Sequence, residues 1–76
     1  MNDSLDVFLN KIAGELEGVD PSTITADVEF RQLENWNSMN ALIILAFINV
    51  EYGKNYTAQQ LSSCKTFHDI YNTLKG

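Results

Sequence analysis

The longest apolar run of the chain lies between a polar turn at residues 34–37 and Gly53. Asn37 suits a helix N-cap, because its side-chain oxygen can accept from the free backbone N–H groups of a first turn. Gly53 suits the left-handed position that ends many helices. The pattern therefore predicts a helix over residues 38–52, and we expect this helix to be the central element of the fold.

Two polar seams divide this central helix on a wheel of about 100° per residue. Ser38 and Asn49 share one seam, and Asn40 and Glu51 share the opposite one. The apolar stripe that we assign to the core contains Ala41, Ile44, Leu45, Ile48 and Tyr52. The second stripe contains Met39, Leu42, Ile43, Ala46, Phe47 and Val50. A small domain needs one apolar face per surface helix, so the second stripe predicts deeper burial, a ligand or a partner.

Three further helices follow from local patterns. Apolar residues at helical spacing predict a first helix over residues 4–17, with Gly18 as its stop. Thr57 and Gln60 have the spacing of a capping box, which predicts a short third helix. Thr66 and Asp69 repeat that spacing at the start of a last helix. We therefore expect an all-α domain over residues 1–76, a four-helix bundle with a short third helix.

A long connection joins the first two predicted helices. Asp20-Pro21 forbids helix continuation and sets a turn, and residues 19–37 have no steady hydrophobic period. Val28, Phe30 and Leu33 nevertheless place apolar side chains at intervals along it. These residues predict an ordered loop that tucks under the helices.

Charge and cysteine content narrow the function classes. The net charge is −5, and eight of the ten acidic residues precede Ser38. This balance argues against nucleic acid and anionic membranes as partners and favours basic protein surfaces. The single cysteine excludes an internal disulfide and a multi-cysteine zinc site. The first residues lack a secretory pattern, so we expect a cytoplasmic protein without a membrane partner.

Asn37-Ser38-Met39, at the start of a mid-chain apolar helix, resembles the Asp-Ser-Leu signature of acyl carrier proteins. Trp36-Asn37-Ser38-Met39 is similar to the Trp-Asp-Ser-Leu of many stand-alone carriers. The resemblance implies the four-helix carrier bundle with its long first loop. It also implies a 4′-phosphopantetheine arm from coenzyme A on Ser38, which holds an acyl group as a thioester. Asn37 departs from the usual aspartate and removes a negative charge beside the serine.

The resemblance further implies a set of partners. These are a phosphopantetheinyl transferase and the acyl-loading and acyl-transferring enzymes of lipid or polyketide biosynthesis, with the carrier itself a monomer and not an enzyme. The residues that we expect to contact these partners are Trp36, Asn37, Met39, Leu42, Ile43 and Ala46. Because Ile43 and Val50 stand where acids are typical of fatty acid synthesis carriers, we expect docking to be mainly apolar.

Several alternatives stay open. Serine is common near helix starts, so Ser38 can be an ordinary first-turn residue. A peptidyl or aminoacyl carrier would share the fold, and a non-catalytic helical adaptor would bind a partner through the second helix. For Cys64 and His68 we favour a structural thiol and a surface imidazole over a nucleophile pair. No metal site is predicted.

Overall fold

The computed structural model describes residues 3–75, in which α-helices are the main regular elements. Four are present in this range: α1 (Leu5–Glu15), α2 (Ser38–Tyr52), α3 (Ala58–Ser62) and α4 (Phe67–Lys75). Two single-turn 3-10 helices, Pro21–Thr23 and Phe30–Gln32, lie in the connection between α1 and α2. The described residues contain no β-strand, only an isolated bridge between Glu29 and Thr66. The all-α class and the short third helix are therefore confirmed.

The first helix is shorter than predicted. Ser4 caps α1 by accepting from the backbone N–H of Val7 at 3.3 Å, but α1 ends at Glu15. Leu16 is extended, with ψ at 143°, and both backbone polar groups of Glu17 bind a side chain of α2. Gly18 does take a left-handed conformation, with φ at 72°, but it lies beyond the helix end. A tertiary hydrogen bond thus ends α1 before its local stop signal.

The remaining helix ends follow their local signals. Asn37 caps α2 and Gly53 closes it in the left-handed conformation, with φ at 63°. Thr57 and Gln60 form the reciprocal capping box of α3. Asp69 accepts from the backbone N–H of Thr66 at 3.1 Å, and the Thr66 hydroxyl accepts from the Asp69 N–H at 3.1 Å. These boundaries confirm the predictions made from capping residues.

The connection between α1 and α2 is ordered against the junction of α3 and α4. The backbone N–H of Phe30 donates to the carbonyl of Lys65 at 3.1 Å, and that of His68 donates to the carbonyl of Ala26 at 3.0 Å. The Arg31 guanidinium donates to two further carbonyls of the junction. The connection also contributes buried apolar side chains, namely Val19, Ile24, Phe30 and Leu33. The predicted ordered loop is confirmed, since it forms one wall of the core.

The core joins all four helices and the connection. Its fully buried apolar side chains include Phe8, Ile12, Phe30, Ile44, Ile48, Phe67 and Ile70. Helix α1 packs against α2 and α4, and α3 packs against α2. No helix within residues 3–75 combines the length and apolar content that a bilayer span requires.

A polar network closes the bundle near its amino terminus. The Asp3 carboxylate accepts from Lys11 at 2.8 Å and from the Tyr52 hydroxyl at 3.0 Å, and Lys11 also donates to Glu51 at 2.6 Å. The Tyr71 hydroxyl donates to the Asp3 backbone carbonyl at 2.8 Å. The hydrogen bond from Lys11 holds the pKa of Asp3 below its usual value, while burial raises the pKa of Tyr52 to about 12. The network therefore links residue 3 to α1, α2 and α4.

Candidate functional site at the start of the second helix

A tight turn sets the start of α2. Asn35 is left-handed, with φ at 68°, a conformation that asparagine tolerates better than most residues. The backbone N–H of Trp36 donates to the carbonyl of Leu33 at 3.1 Å. Asn37 is extended, and its side-chain oxygen accepts from the backbone N–H of Asn40 at 3.2 Å. The cap thus uses the third N–H of the helix.

Ser38 is the first residue of α2, and its side chain is exposed. Within residues 3–75, no protein acceptor binds the backbone N–H groups of Ser38 or Met39, and no hydrogen bond involves the Ser38 hydroxyl. Free N–H groups at a helix start, together with the helix dipole, favour an anionic group such as a phosphodiester. An exposed hydroxyl beside free donors has the chemistry that a phosphate-linked prosthetic group requires.

Trp36 anchors the turn to the core. Its ring lies 5.3 Å from the ring of Phe30, centroid to centroid, and Phe30 is fully buried. Trp36 itself is half-buried. The aromatic contact fixes the chain just before Ser38, and the Trp36 side chain stays partly exposed.

The predicted docking residues of α2 differ in exposure. Met39 is 59% exposed and Leu42 is 60% exposed, and Ala46 is also exposed. Ile43 is half-buried and packs against the core cluster. Val50, from the same stripe, is 86% exposed. The open surface of α2 is therefore an apolar strip that starts one residue after Ser38 and runs to the end of the helix.

Phe47 shows the deeper burial that was one of the outcomes expected for the second stripe. It is buried, and its ring contacts Phe8 at 6.4 Å and Tyr52 at 5.7 Å between centroids. On the wheel, Phe47 lies at the border of the second stripe beside the Asn40 seam, and α1 covers that border. Phe47 thus belongs to the core and not to the open strip.

The assignment of Asn40 to a polar seam is wrong. Asn40 is fully buried, accepts from the Glu17 backbone N–H at 2.9 Å and donates to the Glu17 carbonyl at 3.1 Å. A buried amide is tolerated because both of its polar ends are bonded. Asn40 thus lies on the buried face, whereas Glu51, the other member of that seam, is exposed. Asn40 is two residues after Ser38, and its side chain holds the segment at Glu17 against the start of α2. The signal was present in the sequence, since Asn40 precedes Ile44 and Ile48 at helical spacing.

Cys64 and His68 do not form a pair. The Cys64 thiol is buried, 3.4 Å from the Tyr56 hydroxyl, whereas His68 is exposed. Burial, followed by the contact with Cys64, raises the pKa of Tyr56 to about 12. No hydrogen bond joins Cys64 and His68 within residues 3–75. This geometry supports the interpretation of Cys64 as a structural thiol and of His68 as a surface imidazole. The same range contains no cluster of three or more residues able to hold a metal ion.

A groove borders the open strip on the side of α1. It has a volume of about 380 Å³ and an apolar floor of Ile43, Ala46, Phe47 and Val50. Its rim contains Glu15, the last residue of α1, Glu17, two residues further on, and Glu51, near the end of α2. Ser38 does not line this groove, although the groove floor shares Ala46 and Val50 with the open strip.

Comparison of the chain with protein-family models, with characterised proteins and with solved structures gives no match.

Proposed function

We propose that this chain is an acyl carrier protein whose 4′-phosphopantetheine arm is attached to Ser38. The observation that carries the proposal is an exposed serine at the first position of a 15-residue helix, beside unused backbone donors. The resemblance of Trp36-Asn37-Ser38-Met39 to carrier signatures supports it. So does the order of elements, in which a long ordered connection precedes the central helix and a short helix follows it.

Under this proposal, the residues at the start of α2 have distinct roles. The Ser38 hydroxyl would carry the arm, and the N–H groups of Ser38 and Met39 would stabilise the charge of the phosphodiester. The bound arm would supply a thiol that holds an acyl group as a thioester, so the chain presents a substrate and performs no catalysis. The hydroxyl needs no base from this chain, because a phosphopantetheinyl transferase would activate it.

The docking surface of the proposed carrier is the start of α2. Met39 and Leu42 are exposed beside Ser38, Ile43 and Ala46 follow one turn later, and Trp36 and Asn37 precede the serine. In the proposal these residues contact the transferase and the acyl-loading and acyl-transferring enzymes. Their apolar character favours contacts that depend little on salt, since apolar burial is only weakly screened.

Incubation with coenzyme A and a promiscuous phosphopantetheinyl transferase tests the proposal. We expect the intact mass to rise by one phosphopantetheinyl group in the wild type and not in Ser38→Ala. Ser63→Ala, which changes another exposed serine, is the matched control and should still be modified. Circular dichroism of each variant checks the fold. If several transferases leave the wild type unmodified, the carrier function is excluded for these enzymes and the adaptor alternative gains support.

The exposed strip of α2 specifically favours that second candidate, a non-catalytic helical adaptor. An apolar surface that includes Leu42 and Val50, exposed by 60% and 86%, is typical of a protein-binding face. If the chain is an adaptor, the wild type and Ser38→Ala should bind the partner with the same affinity. A carrier that must be modified would lose function in the same variant. A peptidyl or aminoacyl carrier would take up the arm as well, and only the cargo would differ.

A further inference from the structure

The groove between α1 and α2 combines an apolar floor with an acidic rim. Ile43, Ala46 and Val50 lie along one side of α2 over two helical turns, about 10 Å at 1.5 Å per residue. Ala46, in the middle of this row, has the smallest side chain and lets another backbone approach closely. The groove therefore offers an elongated contact surface parallel to α2.

Of the three rim carboxylates, only that of Glu51 is paired with a basic side chain within residues 3–75. Lys11 is bound to both Asp3 and Glu51, and these contacts raise its pKa, so its positive charge is already paired. Neither Glu15 nor Glu17 forms an ion pair within residues 3–75. An occupant with positive charge beside apolar groups would match both the floor and the rim.

We propose that this groove binds an amphipathic α-helix of a partner protein, with apolar side chains on the floor and Lys or Arg side chains against Glu15 and Glu17. Apolar residues at positions i, i+3 or i+4, and i+7 of such a helix match the row on α2. The groove shares Ile43 and Ala46 with the proposed carrier docking surface but excludes Ser38. A bound helix therefore leaves the serine free, and the inference does not depend on the carrier function.

Two other occupants fit the surface less well. Pockets for small apolar ligands bury most of the ligand, whereas Val50 on this floor is 86% exposed and Ala46 is also open. A second copy of the chain would bring another set of rim carboxylates to the groove, between two molecules of net charge −5 each. Charge repulsion opposes that contact and favours a basic partner.

A designed amphipathic peptide of leucine and lysine, with leucine at i, i+4 and i+7, serves as the probe. It is titrated into isotopically labelled protein, and backbone amide shifts and affinity are measured. We expect the shifts to cluster at Glu15, Ala46 and Val50. The same peptide with glutamate in place of lysine should not bind. Ser38→Ala should bind the lysine peptide as the wild type does, which separates this inference from the carrier proposal.

Matched charge variants test the rim. The double variant Glu15→Gln/Glu17→Gln should weaken binding roughly 3- to 10-fold, because two exposed ion pairs are lost. Asp27→Asn/Glu34→Gln removes the same charge from exposed residues outside the groove and should change affinity less than about twofold. Val50→Ser tests the floor and should weaken binding about fivefold, because apolar contact area is lost.

The inference is overturned if both double variants weaken binding equally, because the attraction would then be to the acidic chain as a whole. It is also overturned if the shifts lie elsewhere or if the glutamate peptide binds as tightly. Sedimentation of the free wild type provides the last check. A dimer that Val50→Ser abolishes would show that a second copy occupies the groove and would contradict the proposal of a basic partner.

Discussion

The two faces of α2 have similar apolar side chains but different surroundings. Ile44 and Ile48 are fully buried beneath the other elements, whereas Leu42 and Val50 are exposed by 60% and 86%. The residue type does not explain the difference, since all four are aliphatic. The buried face is instead defined by what covers it, namely α1, α3 and the long connection. The open face contributes little to the core, and its apolar character therefore points to a function outside folding.

A polar residue sharpens this comparison. Asn40 lies in the middle of the buried face, while apolar Val50 lies on the open one. The amide can be buried because Glu17, just after the end of α1, provides it with one backbone donor and one backbone acceptor. The arrangement shows that paired polar groups can outweigh simple hydropathy in setting the orientation of a helix.

Truncation on the two faces should give the largest contrast. We expect Ile48→Ala to lower the free energy of unfolding by about 2–5 kcal/mol, because it leaves a cavity in the core. Val50→Ala should change it by no more than about 0.5 kcal/mol, as is usual for exposed positions. Urea denaturation of the two variants beside the wild type measures both values. Similar losses at the two positions would show that the open face is covered in solution.

Removal of the buried amide should give the next largest effect. We expect Asn40→Ala to cost about 1–3 kcal/mol, because the Glu17 N–H and carbonyl lose their buried partner. Asn49→Ala is the matched control, since Asn49 is exposed and binds only the Leu45 carbonyl of its own helix. That change should be nearly neutral, because alanine is the better helix former. An equal cost for both would contradict the role of Asn40 in joining α1 and α2.

Substitution of the same amide by a carboxyl group adds a pH dependence. A protonated aspartic acid at position 40 can donate to the Glu17 carbonyl and accept from its N–H, whereas the buried anion cannot donate. Burial should raise the folded-state pKa of the new carboxyl above its unfolded value of about 3.9. The stability of Asn40→Asp relative to wild type should therefore increase as pH falls from 7 towards 4. Thermal melts across this range measure the stability difference between Asn40→Asp and the wild type. A difference that does not change with pH would contradict the prediction.

The smallest effect is expected at the edge between the two faces, where Asp3 binds Lys11 and Tyr52. The folded-state pKa of Asp3 lies below 3.8, so its contribution to stability is present above that pH and is lost as pH falls through the folded-state value. We expect Asp3→Asn to be slightly less stable than wild type at pH 7, with the difference vanishing in acid. Asp27→Asn, which removes an exposed carboxylate without a hydrogen bond in residues 3–75, is the control. Thermal melts between pH 7 and 2 measure the stability difference between Asp3→Asn and the wild type. A difference that persists at low pH would contradict the assigned role of the Asp3 carboxylate.

Local chemistry explains which parts of the fold could be predicted. The caps at Asn37, Gly53 and Thr57 use neighbours within a few residues, so their signals are complete in a short stretch of sequence. The position of Ser38 at the helix start follows from the same rules. The sequence therefore predicts a helix that begins at Ser38, and α2 begins there, with the serine exposed.

Long-range contacts explain the errors. The spacing of Asn40 from Ile44 and Ile48 indicates that Asn40 shares their face, but its partner Glu17 lies 23 residues earlier and cannot be identified from neighbouring residues. That bond also moved the end of α1, which local stop signals placed at residue 17. The burial of Phe47 within the second stripe could not be specified, because the wheel shows spacing but not which side the neighbouring helix covers. The acidic groove could not be predicted either, because it forms only where Glu15 and Glu17 pack beside α2.

The contact between Arg31 and α3 has a mechanical consequence. Helix α3 has only five residues, too few to persist without support, and its carbonyl at Leu61 and the one at Cys64 accept from the Arg31 guanidinium at 3.0 and 2.6 Å. The support thus comes from a segment that lies 30 or more residues earlier in the chain. Any movement that lifts α3 from the bundle must also release the connection, and we expect the two segments to loosen together as one cooperative unit.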